Sequence, residues 1–299
     1  MRKKTLHYLT FSLVSMVSYG QKMFTTTHAG DVMALEYSSY LNLNDVQLDT
    51  KSVTIDFTSV LDKPTIGFGM SYTNNSLDFD AYDRFHDYSA FEELHSIELF
   101  ARYKKALRNN WDVNVTVAPY VSSTFNEAIS SDDFILSYAG SFTKTWDKDG
   151  LKSSLKIGAG YGSLFGKPNF YPLLSYSKHV NDKLRYEIGM PVTGVFYKLN
   201  EQNSFDFKAE PESIYANNTS DFSMTNNEVV YNSELEFKAL KLGLGYQFRF
   251  DDNWSTHFNM GYLLASELTL SENDNTIYDF DSKESLSLNI GISFNINKK

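Results

Sequence analysis

The sequence predicts an all-β chain: a closed antiparallel transmembrane β-barrel of about twelve strands, spanning 21–299 behind a cleaved signal peptide at 1–20. Three observations predict it. Apolar residues recur at every second position over most of the chain. The connections between those runs alternate between short and long, and the first twenty residues read as an export signal.

The export signal begins with Arg2, Lys3 and Lys4, followed by a short apolar stretch from Leu6 to Val17 that His7, Thr10, Ser12 and Ser15 dilute. Ser18-Tyr19-Gly20 supplies small residues for cleavage before Gln21. The stretch is too short and too polar to cross ~30 Å of hydrocarbon, and no later run reaches ~18 consecutive apolar residues. Without the signal, 24 Lys plus Arg face 37 Asp plus Glu, a formal charge of −13 that argues against a nucleic-acid partner. With no Cys there is no disulfide framework and no thiol chemistry. The expected location is the outer membrane of a Gram-negative bacterium. The expected partners are outer-membrane lipid, the barrel-assembly machinery during insertion, and a small polar solute.

The cleanest strand is the last. Leu286, Leu288, Ile290, Ile292, Phe294 and Ile296 alternate with Ser287, Asn289, Gly291, Ser293 and Asn295, which requires one apolar and one polar environment. Leu240 to Phe250 repeats the pattern, as does 254–270, with Trp254, Phe258, Met260, Tyr262, Leu264, Leu268 and Leu270 on its apolar face. Further strands are expected near 32–43, 51–61, 65–73, 93–104, 111–121, 133–146, 151–163, 169–179 and 184–197, and one from Val229 whose parity flips at Lys238-Ala239, the mark of a β-bulge or bend. The short connections carry turn chemistry, as in Asp147-Lys148-Asp149-Gly150 and Asp251-Asp252-Asn253. The longer ones are 44–50, 74–92, 122–132, 198–228 and 271–283, with 164–168 the short exception. Membrane barrels alternate short periplasmic turns with longer external loops. Trp111, Trp146 and Trp254 all adjoin short turns, which places them as interface aromatics on one side of the membrane.

The chain resembles Gram-negative outer-membrane barrels in general, and over roughly 150–299 it resembles an uncharacterised domain-of-unknown-function family of such barrels. The resemblance rests on Phe170-Tyr171-Pro172-Leu173-Leu174-Ser175-Tyr176, on Asn181-Asp182-Lys183-Leu184, on Leu240 to Phe250 and on Asp251-Asp252-Asn253-Trp254. It brings no catalytic residues. One departure stands out: such barrels usually end on an aromatic residue, whereas Phe294 is followed by Asn295-Ile296-Asn297-Lys298-Lys299.

Placing the polar face of each strand inward gives Glu36, Asp56, Glu98, Asp112, Glu187 and Glu267 as lumen-lining acids. It gives Arg102, Lys152, Lys156, Arg185, Lys241 and Arg249 as lumen-lining bases. A charge facing lipid at the midplane costs ~2–4 kcal/mol, which favours inward placement. Such a wall either selects small polar solutes or holds the strands together as a paired network. The leading functional expectation is a passive pore for small polar solutes. The alternative is a non-conducting barrel whose long acidic loops bind a partner. A distant third is a lipid hydrolase, which needs a Ser activated by a His on the lipid-facing surface near the outer leaflet. Ser255, His257 and Asn259 share a face, but inward and near the short turns, and the adjacent His95 and Ser96 face opposite ways. No cofactor is implied, and no catalytic or metal residue is assigned. The five later His residues do not pair at ligand spacing, and Asp78, Asp80, Asp83 and Asp87 lack the glycine and terminal Glu of a calcium loop. Gly158, Gly160 and Gly162 make a small-residue stripe inside a strand, read as room in the lumen or as close packing.

Overall fold

A computed structural model describes residues 31–296, apart from 62–64, 83–86, 224–228 and 274. The expected signal peptide and its cleavage point lie outside the described residues. The strands run β1 (Asp31–Leu41), β2 (Gln47–Asp56), β3 (Ile66–Asp78), β4 (Glu93–Ala106), β5 (Trp111–Ser123), β6 (Phe134–Lys148) and β7 (Leu151–Gly162). They continue with β8 (Asn169–His179), β9 (Leu184–Met190), β10 (Thr193–Lys198), β11 (Asn203–Asn217), the short pair β12 (Phe222–Ser223) and β13 (Val229–Val230), and β14 (Ser233–Arg249). Last come β15 (Trp254–Glu272), β16 (Asn275–Asp279) and β17 (Ser285–Asn295). β1 to β11, β14, β15 and β17 pair antiparallel in order, and β1 closes on β17 with Tyr37 opposite Ile290. The result is a closed barrel of 14 strands.

The expected count of about twelve is therefore two short. The run 184–197 is not one strand: a turn at Pro191-Val192 splits it into the hairpin β9–β10. The segment 198–228, expected as a loop, contains β11. Glu210 and Glu212 read from sequence as acids of a long loop, yet with Asp206 and Lys208 they alternate with Phe205, Phe207, Ala209 and Pro211 as a barrel strand requires.

The outside of the barrel is apolar. On β17, Leu286, Leu288, Ile290 and Ile292 are exposed while Ser285, Ser287 and Ser293 are buried. The same alternation covers β3 (Ile66, Phe68, Met70, Tyr72) and β14 (Leu240, Leu244). A continuous apolar exterior of this extent belongs in hydrocarbon. Closure pairs the backbone groups that such a solvent cannot satisfy. The three Trp residues lie at the short-turn end, with Lys144 Nζ 5.6 Å from the Trp111 ring.

The strand lengths decide where the interior closes. β9 and β10 are 7 and 6 residues long, whereas β14 and β15 are 17 and 19. The long strands extend past the low rim, and β11 leans over to pair in parallel with β5, Asn217 opposite Ser123. At that level the ring runs β11-β14-β15-β17-β1-β2-β3-β4-β5 and leaves β6 to β10 outside it. The lean is built into β14 and β15. The expected parity flip occurs as a register shift between Lys238 and Leu240, opposite Ala265 at φ 48°. Beyond it, Leu268 and Leu270 do not continue the lipid-facing row as expected; both are fully buried inside.

Candidate functional site

The interior has two compartments. In the half nearer the short turns, the inward rows are small and polar: Thr54, Thr116, Ser141, Thr143, Ser255 and Ser293 are all buried. Ion pairs join charges of this wall, between strands and along one strand. Arg102 Nη1 donates to Asp56 Oδ2 at 2.8 Å, and its guanidinium lies 4.4 Å from the Phe100 ring. The strand between them, β3, carries Gly69 opposite Asp56 and Gly67 opposite Arg102, so no side chain of β3 intervenes there. His257 Nε2 stands 3.9 Å from Glu36 Oε1 over Gly291 of β17, where a Cβ would collide with the imidazole. Arg185 Nη1 reaches Glu187 Oε2 at 3.0 Å and stacks its guanidinium 3.8 Å from the Phe196 ring.

Nearer the middle lies the densest cluster. Lys208 pairs with Glu210 at 3.1 Å, and Lys241 bridges Glu210 at 3.4 Å and Glu212. Alternating registry along β11 supplies the acids, and β14 opposes them with Lys241 directly across from Glu210. Asp206 lies over Gly245, whose missing side chain leaves it room. The expectation of a loop over 198–228 hides Asp206, Lys208, Glu210 and Glu212 as inward charges. Their period-two spacing was the available signal.

Of the expected lumen charges, Glu36, Asp56, Glu98, Arg102, Arg185, Glu187 and Lys241 are buried or half-buried. Asp112, Lys152 and Lys156 are half-buried on the inward rows of β5 and β7, and Arg249 is exposed at the short-turn rim. Glu267 departs from expectation. Its side chain is 56% exposed and pairs with Lys238 at 2.7 Å, because the bulge at Ala265 turns it out of the inward row. The glycine stripe is close packing: a Cβ at Gly160 would strike the Tyr171 ring, and one at Gly158 the backbone of β6.

The half nearer the long loops is an apolar plug. Tyr40, Leu48, Leu77, Phe91, Leu94, Phe237, Leu263, Leu268, Leu270 and Phe280 form one buried cluster inside the smaller ring. Residues 42–46, 79–82, 87–92 and 275–284 tie over it. Asn44 Nδ2 donates to the Phe280 carbonyl at 3.0 Å, the Tyr82 hydroxyl donates to the Asn44 carbonyl at 2.8 Å, and the Phe79 and Phe280 rings lie 5.1 Å apart. Burial raises the Tyr88 phenol above its ordinary range. The loop acids serve local turns: Asp78 Oδ1 accepts from the Asp80 N–H and Asp87 Oδ1 from the Ser89 N–H, and the Ser89 side chain together with that N–H holds the Asp87 carboxyl below its usual range. Asp83 and His86 lie outside the described residues.

Asn74, His95 and Ser123 stand in register at outward-parity positions of β3, β4 and β5. That row has the residue types of a hydrolytic triad, and sequence reading, limited to neighbours along the chain, did not bring them together. His95 Nδ1 meets Asn74 Nδ2 at 3.3 Å and the Tyr72 hydroxyl at 2.9 Å. Ser123 is fully buried and donates to the Asn217 carbonyl at 3.2 Å. Ser255 pairs with Ser293 at 2.8 Å.

The sequence profile of DUF6268, described as a domain of unknown function, matches residues 33–298. No curated protein matches the chain. Among solved structures, the chain is similar to the NanC porin, with 11% identity, a TM-score of 0.42, and coverage of 88% of this chain and 100% of that one. It is similar to the COG4313 outer membrane channel from Pseudomonas putida F1 at 12% identity and TM-score 0.40, covering 89% and 95%. It is similar to outer membrane phospholipase A from Escherichia coli at 12% identity and TM-score 0.34, covering 89% and 96%.

Proposed function

The chain belongs to the DUF6268 family, whose function is unknown, and from that premise we propose that it is an outer-membrane channel for small polar solutes, shut at its outer end by the apolar plug. The short turns and both chain ends then face the periplasm, and the long acidic loops face outward. Outer-membrane lipid surrounds the belt, and the barrel-assembly machinery inserts it. The observation that carries the reading is the inward wall of the periplasmic half. Small Ser and Thr side chains alternate there with paired charges, and the Phe100 and Phe196 rings of that wall lie beneath the Arg102 and Arg185 guanidinium groups, so polar groups predominate on it. A wall of that kind favours water and small polar solutes over apolar ones.

The plug itself favours a second reading, a barrel that does not conduct and presents its loops to a partner. Single-channel recording in planar bilayers separates the two. The wild-type chain is expected to give rare or small steps. Leu268→Asp, which places a charge in the plug, is expected to give frequent and larger ones. Leu268→Asp and Phe280→Asp chains that still run as folded barrels on unheated gels, yet conduct no more than bare lipid, would overturn the channel reading in favour of the second.

A further inference from the structure

The barrel wall is interrupted on one side at the outer level. β6 pairs with β5 as far as Phe134, but its ladder with β7 ends where Tyr138 meets Tyr161. The β7–β8 connection does not rise to fill the space. It turns into the barrel, burying Leu164 against Phe100, Tyr171 and Leu173, and the Ser163 carbonyl there accepts from Ser213 at 2.6 Å. The edge of β6 between 134 and 137 therefore borders a slot of about 480 Å³. Phe134, Leu136, Tyr138 and Tyr161 form its lipid-facing side, while Lys167 and Glu234 stand at its polar end, paired at 3.2 Å. Asp132 also lines it. Phe134 lies twelve residues along β6 from Trp146, or roughly 30 Å for a tilted strand, so the slot opens at the interface opposite the Trp level.

We propose that this slot takes up a membrane lipid with a phosphoethanolamine headgroup from the surrounding leaflet. The chemistry follows from the lining. An acyl chain suits the row Phe134, Leu136 and Tyr138, which continues the outer belt inward. Among the described lining residues, Lys167 supplies a positive charge that a phosphate can share with Glu234, and Glu234 and Asp132 supply negative charges for an ammonium. A headgroup that is anionic only would meet an acidic surplus. This lateral site is independent of whether the barrel axis conducts.

Native mass spectrometry of the detergent-solubilised full chain tests it, with lysophosphatidylethanolamine and lysophosphatidylglycerol as probes. The wild-type chain is expected to take one molecule saturably and to prefer the ethanolamine lipid. Glu234→Gln is expected to abolish the preference, weakening that lipid about threefold to tenfold, and Lys167→Gln to weaken both. Leu136→Glu serves as a second variant, expected to weaken both lipids without touching the ion pair. Unheated gel mobility reports that each variant is folded. Equal uptake of the two lipids by the wild-type chain, uptake of neither, or an unchanged preference in folded Glu234→Gln overturns the proposal.

Discussion

The two halves of the barrel interior obey the same alternation and reach opposite results. In the short-turn half, inward positions hold Ser, Thr and paired charges. In the long-loop half, they hold Leu48, Leu77, Leu94, Phe237 and Leu268. The strands are continuous between the halves, so the backbone rule is not what changes. What changes is the diameter. All 14 strands enclose the lower half, whereas the lean of β11 onto β5 encloses the upper half with nine. A narrow ring brings opposite walls close enough for side chains to meet and exclude water, and apolar residues then gain by burial. A wider ring leaves inward groups in a polar setting, where charges persist only by pairing.

This contrast can be broken or sharpened by measurement. The largest effect is expected in the narrow half. Phe237 is fully buried with its ring 5.8 Å from that of Tyr40, and Phe237→Ala should cost ~3–5 kcal/mol in urea unfolding from lipid vesicles. A loss below ~1 kcal/mol would show that the plug is not a packed core. In the wide half, Lys241→Met leaves Glu210 and Glu212 without their shared cation and should cost about 2–4 kcal/mol, with Lys241→Arg costing far less. If both variants were equally harmless, the charged wall would be solvated rather than paired. A smaller effect is expected at the loops. Asn44→Ala removes the donor to Phe280 and should cost about 1–2 kcal/mol while raising proteolysis of the 273–284 loop.

The smallest effect is expected at the short turn 250–253. Asp251 Oδ1 accepts from the N–H groups of Asn253 and Trp254 at 2.7 and 2.8 Å, and these donors lower its pKa. A depressed folded-state pKa means that its contribution is present above the ordinary carboxylate pKa and is lost as pH falls through the lower, folded value. Asp251→Ala should therefore remove a slight acid dependence of unfolding and leave neutral-pH conductance unchanged. A neutral-pH conductance change would show that this turn contributes to the channel.

Much of the barrel was legible in the residues. The row Leu286, Leu288, Ile290 and Ile292 needs only parity to be placed outward, and the flip at Lys238-Ala239 marks the bulge that the structure contains. The hairpin at Pro191-Val192 was not legible, because its apolar alternation runs through a two-residue turn that lacks the usual Asn-Gly or Asp-Gly signal. β11 was hidden by its acids. The candidate site was legible one residue at a time and not as pairs, since Asp56 meets Arg102, and Glu36 approaches His257, only by reaching across a third strand.

By itself the sequence determined which face of nearly every strand meets lipid, because period-two patterning is a property of neighbours along the chain. Only the tertiary structure decided that the ring narrows, that Leu268 and Leu270 turn inward, and that the wall opens beside Tyr138. Those features depend on how unequal strand lengths and one bulge let β11 reach β5. The distance between those strands is set by closure of the whole sheet, and no local stretch of residues encodes it.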